Sequence, residues 1–289
     1  MSGRRPVPAG LAARPARGRW LRPYRAAFVS RFLQMLQYRT AAFAGFATQC
    51  WWGGIKVMVL AAFYAAGAAP MPLTQAVTYT WLAQGLLALL PWAGDPEVAQ
   101  AVRTGAVAYD RLRPVDAYWL WFVRSAGWIA ARVLPRLALM AAFAALLLPL
   151  AGWGDWSWRP PASIAAGAAF GVSMVLALLL SAALVMLLNV AAVAALDARG
   201  INMLALPVVI LLSGNLVPLA LLPDGWQRWL LLQPLAGLLD IPARIYFGQW
   251  AGADAVGGLL LQLFWIAALA GAGRWALQAA FARLEVQGG

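Results

Sequence analysis

The chain has 289 residues, of which 63% are hydrophobic and 11% are charged, whereas soluble domains contain roughly 45–50% apolar and 25% charged residues. Several apolar runs exceed about 18 residues. This composition excludes a soluble domain and predicts an all-α, polytopic membrane protein, because a backbone in lipid must satisfy its own hydrogen bonds within helices. The net charge is +12, and nine of the 22 basic residues precede the first apolar run. The positive-inside rule describes this distribution for a terminus in the cytoplasm. The charge therefore indicates membrane topology rather than a nucleic-acid partner.

The chain begins with a basic segment that precedes the apolar runs. Residues 1–21 are rich in Arg, Pro, Gly and Ala and lack hydrophobic periodicity, which predicts disorder. Residues 22–39 carry apolar side chains on one face and Arg on the others. This pattern predicts an interfacial helix on the inner leaflet or, alternatively, a cytosolic extension of the first span. Residues 22–289 then form one membrane domain.

The apolar runs predict six membrane spans with both termini in the cytoplasm. Sixteen of the 22 basic residues then lie on the inner side and three on the outer side, in agreement with the positive-inside rule. The aromatic-rich residues 117–131 precede the third span and are assigned to the inner interface. The six spans cover about 41–66, 73–93, 133–151, 162–196, 201–220 and 254–280.

The stretch 221–249, between the fifth and sixth spans, is interrupted by polar residues and prolines. Its apolar pieces are about ten residues long, which is too short to cross a hydrocarbon core of about 30 Å. Such backbone is tolerated where protein buries it, so we expect two short re-entrant helices in the outer leaflet. The interrupting residues are Pro223, Asp224, Gly225, Pro234, Asp240 and Pro242.

Three polar residues within the predicted spans are candidates for lining a translocation path: Lys56, Asn189 and Asn215. Lys56, the only Lys, lies about 15 Å from the outer end of its span at 1.5 Å per residue. A charge at that depth should face protein, a cavity or lipid headgroups. The structural alternatives are snorkelling or pairing for Lys56 and interhelical hydrogen bonding for the asparagines.

Residues 95–113, between the second and third spans, predict an amphipathic helix outside the membrane. Asp95 is a good N-cap, Pro96 suits the first helical position, and Pro114 ends the helix. This most polar part of the chain is either a contact for an aqueous partner or an ordinary interfacial connector. The apolar stripe comprises Val98, Ala101, Val102, Gly105, Tyr109 and Leu112.

Several kinds of chemistry have no support in the sequence. No Gly-x-x-x-x-Gly-Lys-Ser/Thr motif occurs, so the chain has no phosphate-binding loop with which to hydrolyse ATP. With no His and only Cys50, we predict no metal site, no His-activated nucleophile and no catalytic residue. The predicted spans carry no acidic residue at mid-depth, which argues against an ion-coupled transporter. A translocation or scaffold protein with an external energy source remains.

Three stretches together resemble the permease subunits of type-2 ATP-binding-cassette (ABC) exporters in their order and spacing. Residues 95–115 read DPEVAQAVRTGAVAYDRLRPV, residues 212–226 read LSGNLVPLALLPDGW, and residues 242–248 read PARIYFG before the last span. The chain departs from the family pattern in its long Arg/Pro-rich N-terminus, in Lys56 and in Asn215.

The resemblance implies a six-span permease domain over 22–289 in a bacterial inner membrane. It would work with a second copy or a related permease, surrounded by lipid, on a pair of ABC ATPase subunits. ATP and Mg would bind to those partners, and this chain would need no cofactor. The segment 95–113 would be the coupling helix, and the turn at 197–200 a smaller contact. The implied ATPase contacts are Glu97, Val98, Arg103, Tyr109, Asp110, Arg111, Leu112, Asp197 and Arg199.

The exported molecule would be amphipathic or apolar, because the predicted spans offer few polar groups to hold anything else. The alternatives are a stand-alone secondary transporter or channel, and a membrane scaffold that transports nothing.

Overall fold

The computed structural model describes residues 21–67 and 70–283, which form helices and connecting turns without any strand. Three of these helices are long and apolar enough to cross a membrane: Ala117–Leu150, Ile164–Ala195 and Ala253–Arg283. The all-α class predicted from the sequence is therefore confirmed, and the three apolar helices are compatible with the predicted membrane protein. The predicted disordered segment 1–21 lies outside the described residues apart from Leu21.

Ten helices occur in the described residues and are numbered here in chain order, with a short 3₁₀ turn at Leu87–Leu89 and longer 3₁₀ segments at Ala106–Leu112 and Pro234–Leu238. They are α1 Arg22–Leu36, α2 Arg39–Ala66, α3 Leu73–Gly85, α4 Pro96–Arg103, α5 Ala117–Leu150, α6 Ile164–Ala195, α7 Arg199–Leu212, α8 Asp224–Leu232, α9 Asp240–Tyr246 and α10 Ala253–Arg283.

The core lies between α5 and α6, which pack against each other in the middle of the bundle. Helices α1 and α3 also pack on α5, whereas α9 and α10 pack on α6. Gly127 lets α1 and α5 approach closely, because a Cβ at this position would lie 2.7 Å from the Phe28 carbonyl oxygen. The largest fully buried side chains of the main cluster include Tyr118, Trp121, Ile129, Leu180 and Met186.

Several helix boundaries differ from the sequence-based expectations. Helix α5 is continuous over 34 residues, so the aromatic residues 117–131 belong to the same helix as the third predicted span. Helix α3 ends at Gly85, and Leu90 is extended before Pro91, because a residue that precedes proline disfavours the helical region. Helix α7 ends at Leu212, and Gly214 adopts a φ of 80°. The helices α3 and α7 are thus shorter than the apolar runs that contain them.

The sequence predicts a single helix over residues 95–113, and this prediction is wrong. Helix α4 ends at Arg103, and Gly105 adopts a left-handed φ of 73°, which glycine reaches without a steric penalty. The chain then continues as a 3₁₀ segment, Ala106–Leu112. The six predicted stripe residues therefore do not share one helix face. The two short helices expected within 221–249 are present as α8 and α9.

Candidate functional site

The connection between α3 and α5, residues 94–116, carries most of the predicted contact residues and is called here the polar segment. The Asp95 carboxylate caps α4 by accepting a hydrogen bond from the Glu97 N–H at 2.9 Å, as its sequence position predicts. The Asp95 side chain is almost completely buried. Burial raises the pKa of this carboxyl, because it disfavours the charged form more than the Glu97 N–H and Arg31 stabilise it.

Ion pairs join the start of the polar segment to two helices. The buried guanidinium of Arg31, on α1, donates to Glu97 and lies 3.4 Å from Asp95. Arg124, on α5, donates to the second carboxylate oxygen of Glu97. Charge-assisted hydrogen bonds are shorter and stronger than neutral ones, so displacement of α4 requires displacement of α1 and α5 or rupture of these pairs.

Two asparagines attach the same end of the polar segment to α6 and α7. Asn189, on α6, accepts a hydrogen bond from the Asp95 N–H at 2.7 Å and is buried. Asn202, on α7, accepts one from the Gly94 N–H at 3.2 Å. Asn189 was a candidate for the translocation path, but the structure places its side-chain oxygen against the backbone of the polar segment.

Two carboxylates attach the second half of the polar segment. Asp110 accepts a hydrogen bond from the indole N–H of Trp121 at 2.9 Å and pairs with Arg113 at 3.0 Å. Asp116 caps α5 and pairs with Arg274, on α10, at 2.9 Å. The polar segment is thereby held by five helices: α1, α5, α6, α7 and α10.

Two large apolar side chains of this attached segment face outward. Tyr109 is 70% exposed and Leu112 is 79% exposed, whereas Val98 and Val107 are buried. The change of backbone direction at Gly105 explains why the predicted stripe divides in this way. The side chain of Arg111 lies outside the described part of the structure.

A cleft of about 240 Å³ lies between α4 and the turn that joins α6 to α7. It is lined on one side by Arg103 and on the other by Asp197 and Arg199. Asp197 accepts a hydrogen bond from the Arg199 N–H at 3.0 Å, at the first residue of α7. The two regions that the resemblance implies as ATPase contacts are therefore adjacent, and their charged side chains border one cleft.

The other two translocation-path candidates meet at a separate site. The Lys56 ammonium, on α2, donates to the Asn215 carbonyl oxygen at 2.9 Å. Both residues line an apolar cavity of about 330 Å³, called here the Lys56 cavity. The structure thus brings Lys56 and Asn215 together and separates them from Asn189.

A buried polar network beside the Lys56 cavity was missed in the sequence analysis. Asp240 is 1% exposed and accepts hydrogen bonds from the Tyr79 hydroxyl at 3.2 Å, the Leu219 N–H at 3.1 Å and the Arg244 guanidinium at 2.7 Å. Arg244 also donates to Gln227 at 2.9 Å. The sequence does contain an indication of this network, because Asp240 and Arg244 are four residues apart and such pairs meet on one face of a helix.

No group of three or more His, Cys, Asp or Glu side chains in the described ranges is arranged to hold a metal ion. The only cysteine of the sequence, Cys50, is half-buried and has no second cysteine in the chain with which to form a disulfide. Neither the protein-family models nor the curated proteins searched contain a match to this chain.

Proposed function

We propose that this chain is the membrane-spanning subunit of an ATP-driven exporter of the type-2 ABC kind, powered by a separate ATPase. The observation that carries the proposal is the exposure of Tyr109 and Leu112 on a segment that ion pairs attach to the bundle. Exposed apolar side chains with a polar rim are the usual composition of a protein contact. In this proposal they bind the ATPase.

The attachments of the polar segment suggest how a partner's motion reaches the bundle. Nucleotide binding closes the ATPase dimer and displaces the polar segment. Glu97 transmits this displacement to α1 and α5 through Arg31 and Arg124, and Asp116 transmits it to α10 through Arg274. The cleft beside Arg103 supplies a second contact for the same partner.

Six spans with cytoplasmic termini are part of the proposal. Helices α5, α6 and α10 would be three of them, and α2, α3 and α7 would begin the others, with α8 and α9 re-entrant in the outer leaflet. The Arg136 guanidinium packs against Gly45 of α2, because a Cβ there would lie 2.9 Å from its Nη2. From Gly45 to the end of α2 the helix rises about 32 Å. This length matches the hydrocarbon thickness of about 30 Å. It therefore supports placing Gly45, and Arg136 beside it, at the cytoplasmic edge of the hydrocarbon core.

The cavities support an apolar or amphipathic substrate. The Lys56 cavity is lined mainly by apolar residues, and a second cavity of about 850 Å³ lies between α2 and the outer end of α5. Aromatic side chains dominate the second one, namely Trp51, Trp81, Phe143, Trp153 and Trp156. A second permease copy, or a related permease, would complete the path.

A stand-alone secondary transporter is the second candidate function, and the buried carboxylate of Asp240 favours it. Ion-coupled transporters use such groups near the middle of the membrane. Both oxygens of Asp240 already accept hydrogen bonds, one of them from Arg244, which opposes a role in binding and releasing a proton. Uptake into vesicles that contain this chain, an ion gradient and no ATPase would support this candidate.

Co-purification tests the proposed ATPase contact. The variant Tyr109→Asp/Leu112→Asp places two charges on the exposed pair, and the matched control Tyr109→Phe/Leu112→Met keeps it apolar. We expect both variants to elute as folded protein, and only the control to retain an ATPase subunit with a Walker motif, identified by mass spectrometry. Equal retention of the ATPase by both variants would contradict the proposed contact.

A further inference from the structure

The Lys56 cavity has the size of a small ligand site and a mainly apolar lining, in which Lys56 is the one charged residue. Its volume of about 330 Å³ lies at the lower end of the range of roughly 300–1,000 Å³ found for ligand pockets. It is enclosed by residues of α2, of α3 and of the break after α7. The lining includes Trp52, Val59, Leu60, Ala83, Leu216 and Pro218.

The positive charge of Lys56 has no acidic partner. Its ammonium donates to the Asn215 carbonyl, and no carboxylate among residues 21–67 and 70–283 pairs with it within 4 Å. Asp240, whose partner Tyr79 also lines the cavity, is already paired with Arg244. A charge in an apolar site is unfavourable without a counter-charge, so an anion in the cavity would be stabilised.

Asn215 contributes to the wall of the cavity but not a donor to the ligand. The residue is 8% exposed and lines the cavity, whereas its side-chain nitrogen has almost no accessible surface and no hydrogen-bond partner. The ligand therefore meets the Lys56 ammonium. This group has three N–H donors, so it can bind an anionic oxygen as well as the Asn215 carbonyl.

The depth of Lys56 requires the ligand to enter the bundle. At 1.5 Å per residue the ammonium-bearing residue is about 15 Å from the end of α2, which is half of a hydrocarbon core of about 30 Å. The ligand must therefore combine an acidic group with an apolar part that tolerates this environment.

We infer that the Lys56 cavity binds the acidic group, a carboxylate or a phosphate monoester, of an amphiphile with an apolar tail. The inference rests on the proposed function and deepens it, since it names the chemical class of the exported molecule. The acidic group is held by Lys56, and the start of the tail contacts the apolar lining.

Photo-crosslinking without the ATPase tests the inference. The purified full chain is placed in nanodiscs of phosphatidylcholine and exposed to a twelve-carbon fatty acid that carries a diazirine on its chain. The matched probe is the corresponding alcohol, which lacks the charge. We expect saturable labelling of peptides that contain residues 52–60 or 215–218 by the acid, and no saturable labelling there by the alcohol. Equal labelling by both probes would overturn the inference.

A substitution at Lys56 makes the test specific. Lys56→Gln keeps a donor for the Asn215 carbonyl but removes the charge, and the half-saturating concentration of the acid should rise at least about tenfold, as for the loss of a charge-assisted hydrogen bond. Arg228→Gln removes an exposed charge outside the cavity and should change nothing. An unchanged half-saturating concentration in Lys56→Gln would contradict the inference.

A second pair of variants decides the matter if Lys56→Gln does not fold. Lys56→Arg preserves the charge and should preserve labelling, whereas Asn215→Asp supplies a competing carboxylate to Lys56 and should abolish it. Equal labelling of these two variants would overturn the inference.

The origin of the amphiphile is tested by adding phosphatidic acid, a membrane lipid with a phosphate monoester, to the nanodiscs. Competition with the probe identifies a membrane lipid as the ligand, and lack of competition identifies a free amphiphile. Labelling by the acid without ATP-dependent export would contradict only the export proposal. Export without such labelling would contradict only the cavity assignment.

Discussion

Arg31 and Glu97 form an ion pair across 66 positions of sequence, and the same Glu97 carboxylate also accepts a hydrogen bond from Arg124. One carboxylate thereby joins α4 to two other helices. This three-residue group joins the polar segment, which carries the exposed pair Tyr109 and Leu112, to two helices of the bundle that we propose to move.

Glu97→Gln should destabilise the protein by about 1–2 kcal/mol, because Arg31 is buried and loses an anionic partner, while solvent already screens the partly exposed Glu97. The measurement is the midpoint of thermal unfolding in detergent micelles. Asp155→Asn is the control, since Asp155 is exposed and pairs with no cation within 4 Å among the described residues. Equal midpoints for Glu97→Gln and the unchanged protein would argue against this attachment.

Asn189→Ala should destabilise the protein by about 1–3 kcal/mol, because the buried Asp95 N–H loses its acceptor. The matched variant is Asn202→Ala, whose hydrogen bond to the Gly94 N–H is longer at 3.2 Å and only partly buried, so a smaller effect is expected. Thermal unfolding of both variants gives the comparison. A larger effect at Asn202 would contradict the anchoring role assigned to Asn189.

Asp240→Asn should destabilise the protein by about 3–5 kcal/mol, because it leaves the Arg244 guanidinium buried without its counter-charge. The double variant Asp240→Leu/Arg244→Met should be less destabilised than the single one, since no uncompensated charge remains. Denaturant unfolding in micelles provides both values. If the double variant loses at least as much stability as Asp240→Asn alone, the uncompensated charge of Arg244 is not the origin of the effect.

The stability of the protein should respond to pH through Asp95, because burial raises the pKa of this carboxyl above that of an unfolded Asp, about 3.9. The folded chain therefore holds the proton to a higher pH than the unfolded chain, and the free energy of unfolding falls as pH rises through that interval. Relative to Asp95→Asn, the unchanged protein should lose stability as the pH rises above about 3.9. The measurement is the unfolding midpoint of the unchanged protein minus that of Asp95→Asn at a series of increasing pH values, and a rise of this difference with pH would refute the assignment.

Local features of the sequence predicted the parts of the structure that depend on neighbouring residues. The long apolar runs became α5, α6 and α10, because a lipid-embedded backbone must form its hydrogen bonds within the helix. Asp95 and Pro96 marked the start of α4, since capping involves only residues two or three positions apart. The end of that helix was mistaken, because the positive φ of Gly105 was not recognisable from hydrophobic periodicity.

Only the tertiary structure decided which polar residues act together. Asn189 and Asp95 are 94 positions apart, Lys56 and Asn215 are 159 apart, and Tyr79 and Asp240 are 161 apart. Periodicity reports the face of a helix on which a residue lies, but the partner of a buried polar group depends on which helices pack together. The sequence by itself therefore determined an all-helical membrane chain with one polar connection, whereas packing decided the anchoring role of Asn189, the joint position of Lys56 and Asn215 at one cavity, and the buried network of Asp240.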